Sequence, residues 1–112
     1  MASQGSFPEV DDRLLQEMVR RMLAVGTPRK IVMFGSRARG TAGPDSDIDL
    51  LLVEESELPR FKRSARYRRA LVGLFPSKDV VVYTPEEVAR WRDVANAFVT
   101  VALREGKTLY ER

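Results

Sequence analysis

A small α/β (α+β) domain, a mixed β-sheet flanked by helices, is what these residues call for. Apolar residues recur at helical spacing near the N-terminus, three later stretches rich in aliphatic residues have the length of strands, and the two kinds of segment interleave as helix, strand, strand, helix, strand, helix. At 112 residues the chain has room for one core and no second lobe, so residues 9–112 are expected to form a single domain after a short disordered tail, residues 1–8. No internal repeat or interdomain linker interrupts it.

The first helix is carried by Leu14, Leu15, Met18, Val19, Met22 and Leu23 and ends near Gly26. Thr27-Pro28 breaks it, and Arg29 to Phe34 reads as a strand running into Gly35-Ser36, where a short helical turn, Ser36 to Gly40, precedes the Gly43-Pro44 loop. Ile48 to Val53 is a second strand, and its unbroken aliphatic content predicts burial on both faces. Leu58-Pro59 opens a helix through about Leu74, with Phe61, Ala65 and Val72 on its apolar side and its arginines outward. Asp79 to Tyr83 is a third strand, after which Thr84 serves as N-cap and Pro85 as first residue of a helix reaching about Glu105. Gly106 caps that helix before Thr108-Leu109-Tyr110. Trp91, Val94, Phe98 and Val101 lie at helical spacing and are expected in the core, and Tyr83 and Tyr110 are expected to be structural.

Composition removes several chemistries. With no cysteine and no histidine there is no disulfide framework, no Cys or His zinc site and no His-based nucleophilic triad. The N-terminal residues lack the basic and apolar parts of a signal peptide and no apolar run approaches a membrane span, so a cytoplasmic location without membrane contact is expected. The net charge of +3 is too small to announce a nucleic-acid binder. Arg60, Lys62, Arg63, Arg66, Arg68 and Arg69 nevertheless form one basic cluster, a solvated face or a surface for an acidic partner.

The chemistry that remains centres on "GSRARGTAGPDSDIDLLLV", Gly35 to Val53. Alternate residues of a strand share a face, so Asp47 and Asp49 would project together, roughly 7 Å apart at about 3.3 Å per residue. Two like charges so placed are each pushed towards protonation unless a cation neutralises them, and with oxygen ligands alone the candidate is Mg²⁺ or Mn²⁺. Such ions commonly share their coordination with phosphate oxygens, which makes a nucleotide the natural guest. Gly35 lets the backbone approach an anion, Ser36 adds a hydroxyl and an amide, and Arg37 and Arg39 are candidate charge partners. Asp79, opening the third strand, supplies a third carboxylate if the strands are neighbours. Asp45 is assigned to the turn. The loop lacks the Lys-Ser/Thr ending of a P-loop, and Leu50 and Ser56 stand where an EF-hand requires glycine and glutamate.

Gly35-Ser36, ten intervening residues, Asp47-Ile48-Asp49 and a later strand aspartate, Asp79, together resemble the minimal nucleotidyltransferases of the DNA polymerase β-like superfamily. The resemblance runs from about Leu14 to Glu111 and includes the "LREGKTLYE" end. It implies a nucleotidyltransferase fold in which Asp47 and Asp49 hold two Mg²⁺ ions, with Mn²⁺ as the alternative, and Asp79 binds the ion nearer the acceptor and helps to deprotonate it. It further implies that Gly35 and Ser36 hold the β and γ phosphates of ATP, so that attack at the α-phosphorus transfers AMP and releases pyrophosphate. Minimal members act as the antitoxin of a type VII toxin–antitoxin pair, placing AMP on a tyrosine of a HEPN-type helical toxin. A hetero-oligomer is therefore expected, a homodimer being the alternative, with no requirement for nucleic acid. Two rivals remain at this level: an antitoxin that only binds and masks its partner, and a nucleotidyltransferase acting on a small molecule or RNA.

Overall fold

In the computed structural model of the chain, residues 11–43 and 46–112 are described. The expected tail, residues 1–8, and Asp45 lie outside these residues. The elements run α1 (Asp12–Val25), β1 (Lys30–Phe34), α2 (Ser36–Arg39), β2 (Ile48–Val53), α3 (Arg60–Arg63), α4 (Ala65–Ala70), β3 (Lys78–Tyr83), α5 (Pro85–Trp91), α6 (Phe98–Glu105) and β4 (Lys107–Glu111). The four strands lie in the order β3-β2-β1-β4; β1 is antiparallel to β2 and β4, while β2 and β3 are parallel. The sheet is therefore mixed and flanked by helices, as the alternating segments predict. No helix among the described residues is long and apolar enough to cross a membrane.

Strand alternation sorts the core into two layers. On one face Ile31, Met33, Ile48, Leu50, Leu52, Val80 and Val82 pack under α1 and α4, through Leu15, Met18, Met22, Tyr67 and Leu71. On the other, Leu51 and Val53 meet Val99 and Ala102 of α6, with Phe34, Val81, Tyr83 and Val88 at the margin. β2 is buried on both faces, which accounts for its continuous aliphatic run.

Three expectations are corrected. The fourth strand, β4, was not anticipated; Lys107–Glu111 is half polar, as suits an edge strand with one face in water, and it pairs with β1. The turn into it is made at Gly106, where a Cβ would fall 2.6 Å from the Ala102 carbonyl and 2.9 Å from that of Met33. The helix expected from Leu58 to Leu74 is two short helices, and its inward line is Arg63, Tyr67 and Leu71, at i, i+4 and i+8. Phe61 and Val72 are exposed, at 79% and 72%, and Ala65 is exposed as well. The reason is polar: the Arg63 guanidinium donates to the Leu58 carbonyl at 2.8 Å, the Val82 carbonyl at 3.2 Å and the Glu87 carboxylate at 2.7 Å, so burying it satisfies two strand and loop carbonyls at once. Finally, the helix expected to reach Glu105 breaks after Trp91 into tight turns, Val94 N–H to the Trp91 carbonyl and Ala97 N–H to that of Val94. That break turns Val99 and Ala102 inward and leaves Trp91, Val94 and Phe98 exposed and Val101 half-buried, so the Trp91 stripe is not core.

Candidate active site

The site follows from the sheet register. Asp49, the second residue of β2, faces Phe34 on one side and Asp79 on the other. It shares the face of Leu51 and Val53, and thus looks towards the α5–α6 side. Asp79 is the second residue of β3, so the parallel register alone brings two acids thirty residues apart in sequence to adjacent positions. Asp47 lies one residue before β2 and is exposed.

Gly35 joins β1 to α2 with φ +77°, in the left-handed region that favours glycine. Its backbone rests against the Asp49 carboxylate: a Cβ there would overlap Oδ2 and lie 3.3 Å from Cγ. The glycine is needed both for the turn and for this approach. Ser36, half-buried, opens α2, and its carbonyl accepts from the Thr41 amide at 3.0 Å. Gly35, Ser36 and Asp49 thus form one corner at the end of the two central strands, β1 and β2.

Burial, then the neighbouring charges of Asp79 and Asp47, push the Asp49 carboxyl above the usual carboxylate range, with Arg39 opposing. The carboxylates therefore repel at a distance short enough to matter, and an added cation would relieve it. Each outer acid already has one partner: the Ser77 hydroxyl donates to Asp47 Oδ1 at 2.5 Å, and Arg68 Nη2 stands 3.8 Å from Asp79 Oδ1. Among the described residues no three acidic side chains converge into a preformed cage for a metal. The donor set itself, carboxylate oxygens with mutual repulsion, fits a hard divalent ion such as Mg²⁺ or Mn²⁺.

Of the residues expected here, Asp49, Asp79, Gly35 and Ser36 are brought together and Asp47 stands beside them. Arg39 is exposed and acts on Asp49 through its charge. Arg37 donates from Nη2 to the Ser46 carbonyl at 2.7 Å, tying α2 to the loop that enters β2. Ser77 and Arg68 were not anticipated as neighbours of the acids. The basic cluster also divides: Arg63 is buried, Arg66 pairs with buried Glu54 at 2.8 Å, and Arg60 stacks 4.9 Å from the Tyr83 ring centre.

Beside the acids a cleft of about 400 Å³ opens between α6 and the end of β1, lined by Phe34, Gly35, Arg39, Asn96, Phe98, Val101, Ala102 and Glu105. Phe98 meets Phe34 edge-on, with ring centres 5.4 Å apart at 84°, and Tyr83 at 6.5 Å.

Comparison with known proteins gives a consistent picture. A family model described as a nucleotidyltransferase domain matches residues 12–108. A crystal structure from Sulfolobus solfataricus, described as that of a candidate nucleotidyltransferase, is 30% identical, covers 70% of each chain and superposes with a TM-score of 0.56. A toxin–antitoxin crystal structure with AMP-PNP superposes at 0.62 with 19% identity, over 88% of this chain and 73% of that one. A mutant of the toxin–antitoxin pair MntA-HpeT superposes at 0.59 with 15% identity over the same shares. These last two likenesses are of fold. No curated protein matches the chain.

Proposed function

The chain belongs to the nucleotidyltransferase domain family, and from that premise we propose that it transfers AMP from ATP to a tyrosine hydroxyl of a HEPN-type helical toxin, as an antitoxin. The observation that carries the proposal is the corner where Gly35 rests on Asp49 and Asp79 stands in register beside it. A phosphate-accepting turn and a repelling group of acids within one contact of each other are what a nucleotide with its metal would join. The toxin–antitoxin neighbours, one of them with AMP-PNP, support both the guest and the partner.

Asp47, Asp49 and Asp79 would hold two Mg²⁺ ions, or Mn²⁺, which when bound neutralise phosphate charge and acidify the attacking hydroxyl. Gly35 and Ser36 bind the β and γ phosphates through backbone and hydroxyl, and Arg39 adds charge at the open side. Arg37, anchored on the Ser46 carbonyl, keeps α2 and the strand-entry loop in one position and would add its charge to the nucleotide site. Asp79, at the exposed edge of the group, receives the proton of the tyrosine hydroxyl. The tyrosine oxygen bonds to the α-phosphorus, the bond to the bridging oxygen breaks, and pyrophosphate leaves from Gly35 and Ser36. Positioning supplies most of the rate in such chemistry, which is why the acids sit on rigid strands.

Incubation of the purified pair with α-labelled ATP and Mg²⁺ tests this. Label should pass to the partner and be lost in Asp49→Asn. Tight binding of the partner without label would instead make the chain a masking antitoxin.

A further inference from the structure

We infer that the cleft between α6 and the end of β1 is the nucleobase subsite, with the Phe98 ring as the stacking platform; this rests on the nucleotide reading above. Phe98 begins α6 yet is 53% exposed, while the residues that hold the helix to the sheet are Val99 and Ala102. A phenyl ring contributes little to the core from that position. It is nevertheless fixed in orientation, edge-on to Phe34 and tilted by 34° against Tyr83, so its position is set before any ligand arrives.

The cleft connects this ring to the phosphate corner. Gly35 and Arg39 line one part of it, Phe34, Val101 and Ala102 form an apolar wall, and Asn96 and Glu105 supply the polar groups. An apolar slot with a few polar groups is the usual form of a small-molecule site, and about 400 Å³ is enough for a base and its ribose. Phe34 is the register partner of Asp49, so the wall begins one residue from the carboxylates. Stacking on an aromatic ring is tolerant of base identity because every base has a π-face.

Equilibrium binding of ATP and of inorganic tripolyphosphate, both with Mg²⁺, separates the base from the phosphates. Phe98→Leu keeps an apolar contact with Phe34 but has no ring; it should weaken ATP on the order of ten-fold, the loss of one base stack, and leave tripolyphosphate unchanged. Phe98→Trp should retain ATP binding. Equal affinity of Phe98→Leu and the parent chain for ATP would overturn the subsite, and so would loss of partner binding with ATP unchanged, which would make Phe98 a docking residue. Failure of the parent chain to bind either ATP or tripolyphosphate would overturn the nucleotide reading itself.

Discussion

Gly35 and Asp49 are in contact, so a single substitution at either one acts on both. Adding a methyl at Gly35 combines a left-handed φ with overlap on the Asp49 carboxylate, so Gly35→Ala should lower transfer about 100-fold, the usual cost of displacing a reacting group by an ångström. Turnover assays against the parent, with circular dichroism confirming the fold, check this. Asp49 itself is a stability liability without a cation. Its folded carboxyl titrates above the ordinary value of 3.8, so the folded state holds the proton more tightly and loses stability as pH rises through that window. Asp49→Asn should therefore raise Tm in metal-free buffer at about pH 7, and the gain should vanish at about pH 3, where both states of the parent are protonated. A gain independent of pH would contradict the cause assigned here. The grouping of Gly35, Ser36, Asp47 and Asp49 could be expected from sequence because their spacing is local. Asp79 could be proposed only on condition that two strands were neighbours, and the parallel register meets that condition. Ser77 and Arg68 carry no such signal, since each reaches its acid through tertiary approach.

At the scale of elements, the strands were legible where both faces are apolar, and the helices where one stripe is. Legibility failed where a polar group outweighs the apolar pattern. The segment from Pro59 to Leu74 looks amphipathic with arginines outward, but Arg63 turns inward because it binds two carbonyls and Glu87, and Phe61 and Val72 turn out in consequence. Arg63→Ala should cost on the order of 3 kcal/mol, since it removes the guanidinium from a partly buried Glu87, which keeps only the Thr84 amide, and from two carbonyls; urea denaturation measures it. Glu54 is a similar node: 2% exposed, it accepts from the Tyr67 hydroxyl at 2.7 Å and the Thr27 amide at 2.9 Å. Tyr67→Phe should lower stability by about 1–3 kcal/mol, the cost of removing a donor from a buried acceptor. By contrast, the Thr84 cap was legible and is present as a full capping box with Glu87. Thr84→Ala should cost about 1 kcal/mol, visible in the denaturation midpoint. β4 escaped because its residues are those of an exposed edge, which resemble a tail.

Taken whole, the molecule has two unequal sides. The side of α1 and α4 closes the larger apolar cluster, while the side of α5 and α6 closes the smaller one and carries Asp49, the cleft and the exposed Phe98. Gly35, Ser36 and the acids gather at one end of the sheet, and the proposed function takes the acceptor hydroxyl from a second protein. Intact-mass spectrometry of a co-expressed HEPN-type partner tests that division of labour. Co-expressed with this chain, the partner should gain the mass of at least one AMP, and it should keep its unmodified mass when co-expressed with Asp47→Asn, Asp49→Asn. An unmodified partner in both cultures, or a gain that survives the double substitution, would contradict the account.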